Sequence, residues 1–307
     1  YQDEAGNTAA SVTNSTFTYD ITAPTIDNTA PVEDRTVNNT QVSYTLSEAV
    51  ASGTVTFTRT GGSVDGGPHV QNLSGDELNT GAHNNITLTD NPTLVDGAIY
   101  TIGFDATDAA GNAATTDENT GITYDVTTAA PTLATPAASS ADNATIDIDF
   151  TLPEAASSGT VKMTFTHTSG TADGNAPHII TFNSNFETAS QHTTTLTGTD
   201  LSVNANVTSV NTNPTDALVD GAIYSVKIEY QDVVGNTAAS VTNSTFTYDI
   251  TVPTMVITAA EGADGFTSND ATLTLTFTSS EPIINFDDDD GDDVDITVDN
   301  GALSDFV

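Results

Sequence analysis

The chain has 307 residues, enough for roughly two or three domains, and carries 42 acidic residues against 4 lysines and arginines, with no cysteine and a formal net charge of −38. A field of that sign repels phosphate backbones and anionic lipid, which makes nucleic acid and acidic membrane poor partners and favours divalent cations; no nucleic-acid partner and no membrane insertion are expected. Charged residues are only 15% and hydrophobic ones 36%, so a core can form, and without disulfides bound metal is the natural staple for small domains.

Residues Tyr1–Thr22 read YQDEAGNTAASVTNSTFTYDIT and return at Tyr230–Thr251 as YQDVVGNTAASVTNSTFTYDIT, with two differences. That period is too long for a solenoid unit and contains a shorter one of about half its length. In chain order, QVSYTLS, GTVTFTRT and AIYTIGFDAT alternate apolar and polar residues, the last preceded by the turn Leu94–Gly97 (LVDG). The pattern repeats in ATIDIDFTL (Ile146, Ile148, Phe150, Leu152), TVKMTFTH (Val161, Met163, Phe165) and AIYSVKIEY (Tyr224, Val226, Ile228, Tyr230), with a second LVDG at Leu218–Gly221. ATLTLTFT then places Leu273, Leu275 and Phe277 on one face. Period-2 alternation predicts half-buried strands, and no segment has a helical period. The expected divisions are 1–22, the last part of a preceding domain; 23–127, a complete domain; 128–251, a complete domain with an inserted loop near 202–215; and 252–307, the first part of a further domain. Each complete unit has about seven strands at sandwich spacing. No apolar run reaches membrane-spanning length, and the start at Tyr1 without Met is that expected of a processed product or an excerpt.

The segments TYDITAPT, LSEA, LVDGAIY and DATDAAGN resemble the linker, loop and turn motifs of bacterial immunoglobulin-like (Big-type) repeats of large cell-surface adhesins, and residues from TSNDATLTLTFTSSEP to ITVDNGALSDF resemble a related subtype. The resemblance covers nearly the whole chain. It implies an all-β fold of tandem immunoglobulin-like β-sandwich domains in an elongated rod, located outside the cell at its surface. The expected function is a structural or adhesive stalk that projects a binding region. Its partners are neighbouring repeats, with other copies of the chain or cell-surface ligands beyond them. Two alternatives stand beside it: a filament subunit assembled head to tail by strand complementation, and a carbohydrate- or protein-binding module using the inserted loop Ser202–Thr215, which lacks the aromatic residues of a sugar platform. With no GxSxG elbow, HExxH helix, P-loop or dinucleotide fingerprint, no enzymatic activity is expected.

One acidic pattern recurs at each junction. Asp20, Asp125 and Asp249 close a last strand shortly before Pro24, Pro131 and Pro253. In an immunoglobulin-like topology the chain enters at the pole that carries the B–C and F–G loops. The B–C loops supply Glu48, Glu154 and Glu281; the F–G loops supply Asp105, Asp108 and Asn112 in one unit and Glu229, Asp232 and Asn236 in the next. Hard oxygen ligands in that number suit Ca²⁺ and, without cysteine, disfavour Zn²⁺. Gly6, Gly111 and Gly235 in Asp-x-x-Gly-Asn would permit a left-handed turn. The competing reading is that Asp-x-x-Gly-Asn is a hairpin turn and each Glu a solvated loop residue.

Other signals are weaker. The run Asp287–Asp293 fails as an EF-hand, because aligning Gly291 with the loop's glycine puts Phe286 and Thr297 where carboxylates are required. His69 with His83, and His178 with His192, recur after Asp65 and Asp173; packing in strands or loops is the default expectation, and a transition-metal pair the alternative. Asn14, Asn38, Asn72, Asn85, Asn143, Asn206 and Asn243 stand in Asn-x-Ser/Thr acceptor motifs.

Overall fold

The computed structural model describes residues 1–14, 16–211, 216–284 and 286; the acidic run 287–293 and part of the inserted segment lie outside the described residues. Eight strands build the first unit: β1 (Ile26–Ala30), β2 (Thr36–Val37), β3 (Val42–Leu46), β4 (Ser52–Gly62), β5 (His69–Asn72), β6 (Gly81–Ile86), β7 (Ala98–Thr107) and β8 (Asp117–Tyr124). They form two sheets, ordered β1-β3-β6 and β2-β8-β7-β4-β5, with β2 parallel to β8 and every other pair antiparallel. Alternation decides which side chains meet between them: Val42, Tyr44 and Leu46 from one sheet join Val55, Phe57, Tyr100, Ile102, Phe104 and Ile122 from the other in one core.

The second unit repeats this plan with β9 (Thr132–Thr135), β10 (Ala141–Asp142), β11 (Thr145–Thr151), β12 (Lys162–Gly170), β13 (His178–Phe182), β14 (Gln191–Thr197), β15 (Val207–Val210), β16 (Ala222–Glu229) and β17 (Val241–Tyr248). Its sheets run β14-β11-β9 and β10-β17-β16-β12-β13-β15. The apolar positions expected to point inward do so, with Ile146, Phe150, Val161, Met163, Phe165, Tyr224, Val226 and Ile228 all buried. Each large side chain so buried contributes about 1.5–3 kcal/mol. The inserted segment, expected as a loop, instead supplies an edge strand: β15 pairs antiparallel with β13, and Leu201 just before it is buried in the core. VTSV has the β-branched composition an edge strand favours, and the first unit has no counterpart beyond β5.

In both units the end of β4 or β12 packs against the LVDG turn that leads into β7 or β16 through a pair of glycines. Gly170 has φ +76°, and a Cβ there would lie 2.3 Å from the Gly221 carbonyl oxygen; Gly62 and Gly97 are related in the same way at 2.1 Å. Only glycine fits. Both units also build one polar node, fully buried in the second and partly buried in the first. Tyr224 Oη donates to Asp173 Oδ2 at 2.7 Å, and His178 Nε2 lies 2.8 Å from the same oxygen. Asp65, His69 and Tyr100 repeat this arrangement at 2.5 and 2.7 Å. The second member of each histidine pair sits elsewhere: His83 stacks on Tyr44 and His192 on Phe186, each with Nε2 against a main-chain carbonyl. Packing therefore accounts for the four histidines of the two pairs.

β18 (Met255–Ala259) and β19 (Leu275–Ser279) form an antiparallel pair. Leu273 and Leu275, expected inward, are exposed, because no second sheet packs on this pair among the described residues. Among the described residues of 1–22 the only β-pairing is an isolated bridge, Gln2 to Thr8, and Phe17 and Tyr19 are 82% and 77% exposed. Their copies Phe246 and Tyr248 are fully buried in β17.

Candidate metal-binding joints

The loop between β7 and β8 is built by one carboxylate. Asp108 Oδ1 accepts the main-chain N–H of Ala110 and of Asn112, both at 2.8 Å, and its Oδ2 accepts Asn112 Nδ2 at 2.7 Å. Gly111 takes φ +94°, which lets the chain turn back within five residues. Donation by the Asn112 amide, helped by the main-chain N–H groups, holds the Asp108 carboxyl below the ordinary aspartate range. The loop between β16 and β17 is the same around Asp232, Asn236 and Gly235 (φ +93°), and so is Asp3 with Asn7 and Gly6 (φ +90°). The Asp3 copy is exposed throughout. The hairpin reading of Asp-x-x-Gly-Asn is therefore sufficient for the loop's own shape.

What the loop does with its neighbours is a separate matter. Carboxylate oxygens of Asp20, Glu48 and Asp108 lie within 4.8 Å of one another, and those of Asp125, Glu154 and Asp232 form the same arrangement one unit later. Each group unites a linker, the loop after β3 or β11, and the Asp-x-x-Gly-Asn loop. Asp108 and Asp232 are only 3% and 1% exposed. The three ion pairs among the described residues lie elsewhere, so no basic side chain offsets either group. Burial, then the charges of Asp232, Asp96 and Glu154, push the Asp125 carboxyl above the ordinary aspartate range against a single main-chain donor, Thr127 N–H.

Six of the twelve expected ligands are thus brought together in two groups, and the others are placed differently. Asp105 and Glu229 occupy outward positions of β7 and β16, the opposite parity from Phe104 and Ile228; Thr116 Oγ donates to Asp105, and Lys227 Nζ lies 2.8 Å from Glu229. Asn112 and Asn236 face the linkers with nitrogen, not oxygen: Asn236 Nδ2 donates to Asp125 O at 2.9 Å, and Asn112 Nδ2 to Asp20 O at 3.3 Å. They act as donors that hold linker to loop. Asp249 Oδ1 accepts Thr251 N–H, and Glu281 accepts a bond from Ser279 Oγ through its carbonyl; no third group forms around them among the described residues, and no Asp-x-x-Gly-Asn occurs in 252–307.

Sequence reasoning missed the residues that fix the linker's course. Asp96, in the first LVDG turn, accepts Val126 N–H and Thr127 Oγ, both at 2.7 Å; Asp220, in the second, accepts Ile250 N–H at 2.8 Å and Thr251 Oγ at 2.6 Å. These bonds hold both carboxyls below the ordinary range. At the second joint Glu154 adds bonds to Ala129 N–H at 2.9 Å and Thr128 Oγ at 3.0 Å, and Tyr230 Oη donates to Ala129 O at 2.7 Å. The duplication of LVDG at a fixed place before each linker was the available signal.

The donor set fits a hard cation. Ligands about 2.3–2.6 Å from a shared ion cannot be more than about 5 Å apart, a limit the groups meet, and each carboxylate keeps at least one oxygen with a lone pair beyond its hydrogen bonds. Three carboxylates are fewer than Ca²⁺ takes, so main-chain carbonyls or water would supply the rest. No protein-family model matches this sequence, and no curated protein matches it.

Proposed function

We propose that this chain is a run of immunoglobulin-like spacer domains from an extracellular surface stalk, architectural and not catalytic, whose joints take Ca²⁺. The observation that carries the reading is the recurrence of one three-carboxylate group, with the same three structural sources, at two successive joints and with no ion pair to a basic side chain among the described residues. The strand orders β1-β3-β6 and β2-β8-β7-β4-β5 support the immunoglobulin-like assignment, since a three-stranded sheet faces one whose edge strand pairs parallel to the last strand. Clustering like charges at a hinge is unfavourable unless a cation joins them. Titrating Ca²⁺ into the metal-free chain should raise its melting temperature and narrow its end-to-end distance; no change in either would remove the proposal.

A second reading, self-assembly by strand complementation, is favoured by one observation. Residues 6–22 are identical to 235–251, yet Phe17 and Tyr19 are exposed where Phe246 and Tyr248 are buried. Sedimentation and electron microscopy of the chain separate the two, because a stable monomer defeats assembly.

A further inference from the structure

The joint between the two units has a contact that involves no carboxylate group. Asn38, just after β2 of the first unit, donates from Nδ2 to the main-chain oxygen of Val234 at 2.7 Å, and the same nitrogen lies 3.5 Å from Asn236 Oδ1. Val234 is one of the two variable residues of the second unit's Asp-x-x-Gly-Asn loop. Val233 and Val234 stand against the strip Asp34–Asn39, across a cleft that the two segments share. The loop makes its bonds within itself, and the same bonds recur around the exposed Asp3. A loop closed on itself that touches the preceding unit at its tip, and holds the linker through Asn236, fixes two points of one body against another.

We infer that the strip Asp34–Asn39 is a docking surface for the tip of the following unit's Asp-x-x-Gly-Asn loop, and that this contact aligns the two units without a cation. The central pair of that loop is where the copies differ: Glu4-Ala5, Ala109-Ala110 and Val233-Val234, while Asp, Gly and Asn are unchanged. The frame that shapes the loop is held constant, and the tip that meets the neighbour varies. Asn38 supplies the directional bond; Val234, half-buried, supplies the packing. A polar donor to a main-chain carbonyl is independent of calcium, so the inference stands whether or not the acidic group binds metal.

The test uses the chain's freedom from cysteine. Spin labels at the exposed positions T58C and T193C, one in each unit, report the distance distribution between them by pulsed dipolar spectroscopy in excess chelator. N38A removes the donor, and N38D keeps the shape while facing the Val234 carbonyl with oxygen. Both should broaden the distribution about twofold relative to the parent. Unchanged widths in both variants would overturn the inference. The calcium reading is judged separately, by the effect of added Ca²⁺ on melting, which Asn38 does not enter.

Discussion

Replacing Asp125 by Asn should stabilise the chain without calcium and destabilise it with calcium. At the 4.8 Å that bounds the group, two unit charges repel by about 1 kcal/mol with water-like screening and about 3–4 kcal/mol at an effective dielectric near 20. Asp125 is half-buried and faces both Glu154 and Asp232, so the lower figure is the safer one: D125N in chelator gains about 1 kcal/mol, or roughly 3–5 °C for a unit of this size. The substitution loses little, because the contacts to Asp125 Oδ1, from Asn236 Nδ2 at 3.3 Å and Thr127 N–H at 3.4 Å, can be made to an amide oxygen. With Ca²⁺ at about a hundred times its dissociation constant the parent gains about 2.7 kcal/mol, most of which a variant lacking one ligand forfeits. Differential scanning calorimetry of parent and variant in chelator and in millimolar Ca²⁺ reads both signs. The pH dependence adds a check. The carboxyl's raised value means that the folded-state penalty appears as pH rises through the aspartate range and is absent below it, so the variant's advantage in chelator should vanish in acid. A variant destabilised by the same amount in both conditions would refute the reasoning.

Three further outcomes are expected. Asp173→Ala leaves His178 and the Tyr224 hydroxyl buried without their shared acceptor and should cost about 1–3 kcal/mol for each group left unpaired, read in denaturant melts of the second unit. Burial raises the Asp173 carboxyl, but donation from His178 and Tyr224 outweighs it and leaves the value lowered; this group therefore stabilises the fold above the ordinary aspartate range, and that contribution should drain away as pH falls through its folded value. Gly198→Ala drives a methyl to within 2.3 Å of the Tyr248 ring and should lower the second unit's stability by about 1–3 kcal/mol, with the first unit's melt unchanged. Asp220→Ala frees the N–H of Ile250 and the hydroxyl of Thr251, so amide exchange at Ile250 should accelerate in chelator and in Ca²⁺ alike, whereas a Ca²⁺-dependent change there would place Asp220 among the ligands.

The strands were legible because alternation is a local property: Ile146, Ile148 and Phe150 announce their buried face before any partner is known. The same parity, applied to Asp105 between Phe104 and Ala106, would have turned that residue outward; grouping it with Asp108 by proximity in sequence ignored the pleat. The convergence of Asp20, Glu48 and Asp108 followed from three loops meeting at one pole, which a strand order implies. The orientation of Asn112 and Asn236 did not follow, since an amide can offer either atom and only the carboxylate beside it decides which. The node of Asp173, His178 and Tyr224 was similarly hidden, because its members reach one another from β16, β13 and the loop before β13.

The five-residue loop around Asp3, Asp108 and Asp232 makes its bonds within itself. A segment of that kind carries its geometry along when it is copied, so a duplicated unit arrives with a carboxylate already aimed at whatever linker precedes it. Lengthening such an array requires no co-ordinated change in distant parts of the chain. Only the two residues at the loop's tip are left to be fitted to a new neighbour, which is where the copies in this chain have diverged.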